Sequence, residues 1–159
     1  MNVERLLPHA DKALNDADIL VNDGKVPEKY LGYVAAFGAT VINMGIESAL
    51  LYYMKDKQKY LDDKQNSEED PIKYKGNINK VYRVKVVKAL TYILENSEEL
   101  KNCSEEKIDD LKKWVENENS TLEQYHKTQK IVDASVALKL MIRTYPIQKN
   151  NDEQQENAQ

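Results

Sequence analysis

Apolar residues recur along most of this chain at steps of three and four, the spacing that gathers side chains on one face of a helix. Val3, Leu6, Leu7, Ala10, Leu14, Ala17, Leu20 and Val21 follow that rhythm and predict a first helix over residues 2–22. Pro8 falls early, where a proline is tolerated or moves the helix start to its own position. Gly24 offers a stop and Pro27 opens the next unit. Residues 28–57 are apolar on nearly every side, the pattern of a helix at the centre of a bundle. Asn43-Met44-Gly45 interrupts them, and because a glycine weakens a helix interior by about 1 kcal/mol, a break or kink is expected there.

The acidic, aperiodic residues 62–70, followed by Pro71, predict a surface loop. A helix is expected over residues 77–96, with Ile78, Tyr82, Val86, Ala89, Leu90, Ile93 and Leu94 as its apolar face. A short helix beginning near Ser104 or Glu105 carries Ile108, Leu111 and Val115, beside Trp114. Ser120 caps the last long helix, Glu123 completes a capping box, and the helix ends before Pro146. Asn, Gln and acids dominate residues 148–159. The fold expected is all-α: a single-domain bundle of about five to six helices over residues 1–146, with a disordered polar tail at 147–159.

Composition narrows the chemistry. The formal net charge is −4, so the whole molecule is no generic binder of polyanions. Five Gly and four Pro are too few for a turn-rich β-sandwich. Cys103, the single cysteine, allows neither an internal disulfide nor a zinc cluster. Glu4 and Asp11 interrupt the N-terminal stretch, so no signal peptide is read, and a cytoplasmic location is expected. Residues 30–46 carry no charge, but 17 residues containing Gly32, Gly38, Thr40 and Asn43 suit a buried helix better than a membrane span.

Catalysis needs a positioned acid, base or nucleophile. His9 and His126 lie in different helices, with no metal-ligand cluster around either. No phosphate-binding loop, dinucleotide fingerprint or nucleophile elbow occurs. Glu47, the one acid inside the apolar segment, reads as a helix-edge or interface residue. The expectation is therefore no enzyme, no catalytic residue, no metal and no cofactor.

Charge is uneven. Lys73, Lys75, Lys80, Arg83, Lys85 and Lys88 occur between Pro71 and Leu94 without a single acid. At 100° per residue, Lys80, Lys85 and Lys88 share the side opposite the apolar stripe, a candidate phosphate-binding face with Arg83. Val81 and Val84 fall on the same side and are candidates for a subunit contact. The last helix carries two apolar stripes. Leu122, Tyr125, Val132, Val136 and Leu140 form one; Ile131, Ala134, Leu138, Met141 and Ile142 form the other. A terminal helix with two apolar sides needs two partners, and Ile131, Leu138 and Met141 are assigned to a subunit interface.

These segments resemble the small all-helical subunit, the fifth, of the type III-B CRISPR effector, the Cmr complex. The resemblance is carried by Tyr30, by Val41-Ile42-Asn43-Met44-Gly45-Ile46, and by Leu50-Leu51-Tyr52-Tyr53. In the last helix it rests on Tyr125, Thr128, Ala134, Val136, Leu138 and Lys139, with Arg143 a turn later. Where that family often has Trp in the last helix, this chain has Ala137. The resemblance implies a non-catalytic protein whose copies stack along the guide–target RNA duplex while other subunits cut. It implies as partners the other Cmr-complex subunits, further copies of the chain, and the backbones of guide and target RNA, with Lys139 and Arg143 among the RNA contacts. A monomer is expected in isolation, and no membrane. A small subunit of the type III-A effector, and a helical interaction module unrelated to RNA, are the alternative readings.

Overall fold

The computed structural model describes residues 2–21, 24–76 and 79–149. They are mostly helical: α1 (Val3–Asp16), α2 (Glu28–Met44), α3 (Ile46–Tyr53), α4 (Lys57–Glu69), α5 (Val84–Asn96), α6 (Asp110–Glu116) and α7 (Thr121–Ile142). Two short strands, β1 (Val26–Pro27) and β2 (Ile147–Gln148), pair in parallel, Val26 with Ile147 and Pro27 with Gln148. The all-α bundle expected from the sequence is the fold found.

α1 starts where the side chain of Asn2 accepts from the backbone N–H of Glu4 at 3.0 Å. It stops at Asp16, earlier than the periodicity predicts, because Asp18 takes a left-handed conformation (φ 57°) and turns the chain away. Val21 then bridges Lys25, and Val26 donates to the carbonyl of Pro146 at 2.8 Å. Ile147 and Gln148, assigned to the tail from composition, thus belong to the folded body, and Gln148 is buried. The tail expectation for residues 150–159 lies outside the described residues.

The interruption at Gly45 is a true break between α2 and α3. Gly45 stands at φ 83°, ψ 161°, a conformation essentially restricted to glycine, and its N–H closes α2 on Val41 at 2.8 Å. The expected loop at 62–70 is instead the second half of α4. Only Tyr60 of this helix is buried. A helix polar on nearly all sides survives on side-chain pairing. Gln58–Asp62 and Gln65–Glu69 pair along it at i,i+4, and Lys57–Asp109 (2.7 Å) and Lys64–Glu106 (3.3 Å) tie it to the body.

α5 begins at Val84 rather than near 77; residues 77 and 78 lie outside the described residues. Its free N–H groups find a cap from another element: Asp56 accepts from Arg83 N at 2.8 Å and from Val84 N at 3.1 Å. α6 begins at Asp110, six residues after Ser104, whose N–H and hydroxyl both donate to Asp110 at 2.8 Å. α7 begins as expected, with Ser120 Oγ accepting from Glu123 N at 3.4 Å. α1, α2, α5 and α7 pack around one apolar core, with α3 and α6 closing its end. Tyr60, Tyr82, Val84 and Ile108 form a small second cluster under α4. No helix among the described residues is long and apolar enough to cross a membrane.

Candidate nucleic-acid interface

α5 is the central helix of the bundle, and its burial decides the fate of the expected basic face. Lys85 and Lys88 are buried, not exposed. The Lys85 ammonium donates to the carbonyls of Asp18 (2.9 Å) and Lys80 (3.0 Å) and lies near the rings of Tyr82 and Tyr60. Burial lowers its pKa to about 8. Lys88 donates to the hydroxyl of Tyr60 at 2.7 Å, and burial lowers its pKa as well. Both must therefore be withdrawn as RNA contacts. Angular position along a helix says which residues share a side, but not whether another element covers that side. Here α4 and the exit of α1 do so.

The valines are corrected for the same reason. Val84 is wholly buried and Val81 packs partly against the core. On α7, Ile131 and Leu138 are wholly buried and Met141 is packed beside them. The stripe assigned to an interface is the one that faces the core. The other stripe is mostly left in solvent: Leu122 and Tyr125 are each 62% exposed, Leu140 46% and Val136 37%, whereas Val132 between them packs partly against the core. Both stripes satisfy helical spacing, and only the packing of α7 against α1 and α2 tells them apart.

The remaining candidate cations have different surroundings. Lys80 is exposed and pairs with Asp63 at 3.6 Å. Lys139 is half-exposed and Arg143 exposed, and neither has a carboxylate partner among the described residues. Lys127 and Lys130, also on α7, are held by Glu118 (3.5 Å) and Glu99 (2.7 Å).

Arg83 stands apart. It sits half-exposed just before α5, its guanidinium 4.5 Å from the centre of the Tyr33 ring and 5.2 Å from that of Tyr52. Lys55 also lies over the Tyr52 ring, at 5.0 Å. Both rings are rooted in the core. Tyr33 meets buried Tyr30 edge-on at 6.2 Å, Tyr52 meets Tyr53 at 5.8 Å, and Tyr53 meets Phe37 at 5.2 Å. The hydroxyl of Tyr53 donates to the carbonyl of Tyr33 at 2.5 Å, joining α2 to α3. Tyr33, Tyr52 and Lys55 were not identified as site residues from the sequence. The one signal that could have found them was the density of tyrosines around the break at Gly45.

A cleft of about 560 Å³ lies where that break faces the start of α7, lined by Val41, Met44, Gly45, Glu47, Gln124 and Tyr125 among others. Gln124 donates across it to Glu47 at 3.2 Å. Cys103 is half-buried, and burial followed by the nearby Glu95 pushes its thiol up to about 11, away from nucleophilic reactivity. Among the described residues no His, Cys, Asp and Glu side chains gather in a metal-binding group.

No protein family, curated protein or solved structure matches this chain.

Proposed function

We propose that the chain is a non-catalytic small subunit of a type III-B CRISPR effector, the Cmr complex, acting in the cytoplasm. In this reading copies of it stack along the guide–target RNA duplex and other subunits perform cleavage. The observation that carries the reading is the outer face of α7. Leu122 and Tyr125 near its start and Val136 and Leu140 near its end expose two apolar patches on one side of that helix, with Arg143 on the same side at its end. This is also, with α2, one of the two helices in which the resemblance to that subunit family is clearest.

A stacking subunit needs two different patches, since a head-to-tail contact joins unlike surfaces. The α7 stripe supplies one. Exposed Ile42 of α2 and Leu51 of α3 supply apolar area for the other. Such contacts are weak between free monomers and strengthen when RNA holds neighbours at high effective concentration. Lys80, Arg83, Lys139 and Arg143 are the cations left to meet phosphate.

Co-expression with the other Cmr-complex subunits and a guide RNA tests this. The chain should co-purify in several copies, and the isolated chain should be a monomer that cuts neither RNA nor DNA with Mg²⁺ or Zn²⁺. Assembly of the complete complex without this chain, or metal-dependent cleavage lost on changing Glu47 or His126, refutes the proposal. If the chain instead binds a protein partner that nuclease treatment does not release, it is an interaction module unrelated to RNA.

A further inference from the structure

Arg83 carries five N–H donors, and among the described residues its guanidinium meets no acceptor and no carboxylate. That is unusual for a half-buried guanidinium, which loses hydration without regaining hydrogen bonds. What it gains instead is position. Two tyrosine rings confine it, at 4.5 and 5.2 Å, and the backbone N–H of the same residue is fastened to Asp56 at 2.8 Å. The Asp56 carboxylate is already engaged by two N–H groups of the α5 start. Lys55 brings a second cation to the Tyr52 ring, again without an ion pair among the described residues. Two positive groups held near one ring attract an anion more strongly than either does alone.

The geometry points to a phosphate clamp: Arg83, held in position by Tyr33 and Tyr52 and assisted by Lys55, grips one phosphate group of an RNA backbone. The assignment of RNA as the source rests on the function proposed above. The chemistry comes from the fork itself, because a fixed guanidinium plane matches two oxygens of a phosphate at once, whereas a lysine offers only a point charge. Tyr33 and Tyr52 are positioning residues. Their own hydroxyls have no acceptor among the described residues, so it is the rings that matter.

The test uses the full chain, an unstructured 12-nucleotide RNA, and fluorescence anisotropy over a range of salt. Arg83→Gln should weaken binding about tenfold, lower the log–log salt slope by roughly 0.7, and act alike on all sequences. Arg83→Lys should recover only part of the loss. Tyr33→Leu with Tyr52→Leu should reproduce the loss, Tyr33→Phe with Tyr52→Phe should not, and the Leu effect should vanish when Arg83→Gln is already present. Melting curves check that each variant folds. Normal RNA binding by folded Arg83→Gln overturns the clamp and leaves the RNA reading to Lys139 and Arg143. If the unaltered chain binds no RNA, the Arg83 Nε–H resonance is monitored during titration with inorganic pyrophosphate. Movement at that resonance supports a phosphate site whose source is a free phosphate, and the RNA proposal is then what fails; no movement overturns the clamp. Displacement of RNA by poly-glutamate at equal affinity likewise overturns the assignment to phosphate.

Discussion

The ammonium of Lys85 donates to the backbone carbonyl of Asp18 over 2.9 Å, tying the exit of α1 to the first turn of α5. Asp18 is the left-handed residue that ends α1, so one lysine holds a turn that the local sequence does not stabilise strongly. This makes Lys85 a residue of the fold. Lys85→Glu should unfold the chain, because a buried unpaired charge beside two carbonyls costs about 3–5 kcal/mol. Loss of RNA binding in such a variant would report unfolding, which a melting curve distinguishes.

The same lysine gives stability an alkaline signature. Its pKa is lowered to about 8 in the fold, against 10.5 for a free lysine. Between those values the unfolded chain binds more protons than the folded one, so stability rises with pH, by at most about 1.4 kcal/mol per pH unit. Lys88 acts in the same direction. Tyr30, Tyr60 and Tyr82 act oppositely: burial raises each phenol above its usual 10, so stability falls once unfolded tyrosines ionise. Denaturant melts from pH 7 to 11 should therefore climb above pH 8 and turn over near 10. In Lys85→Met the climb should flatten.

Asp56 caps α5 from a distance of 27 residues in sequence. Asp56→Ala should cost about 1–2 kcal/mol, the range for loss of a helix cap, and Asp56→Asn should recover part of it. Equal stability of Asp56→Ala and the parent chain in urea would show that water replaces the cap without loss.

α4 rests on Tyr60, partly buried Leu61, ion pairs and the Tyr82–Asp63 hydrogen bond. Because half-exposed ion pairs are screened by salt, this helix should open first. Amide exchange in α4 should be faster than in α5 or α7 and should quicken further from 0.05 to 1 M NaCl. Uniform protection across the helices would contradict this picture.

The two faces of α7 should respond differently to the same substitution. Leu138→Asp places a charge in the core and should unfold the chain. Leu140→Asp, two residues on and 46% exposed, should leave melting within about 0.5 kcal/mol of the parent while abolishing assembly. Normal assembly of folded Leu140→Asp, alone and with Leu122→Asp, would remove α7 as an interface.

Helical periodicity, the N-cap at Ser120 and the glycine at 45 were enough to read an all-α chain, the start of α7 and the break between α2 and α3 from the sequence, although the expected capping box is only half formed, since the Ser120 N–H donates to Glu118 rather than Glu123. Each of these depends on interactions within a few residues, which local order records. The helical state of α4 was not legible, because i,i+4 polar pairs and ion pairs to Asp109 and Glu106 replace the apolar stripe by which helices are recognised. Nor was the start of α5, whose cap comes from Asp56. The candidate site suffered most. Lys80, Arg83, Lys85 and Lys88 look alike in sequence, yet one is ion-paired, one lies on two tyrosines, and two are buried. Similarly, both stripes of α7 have helical spacing, and only packing made one the core and left the other in water. Sequence by itself determined which residues share a face; which faces are covered was decided by tertiary structure, because burial is a property of elements brought together from distant parts of the chain.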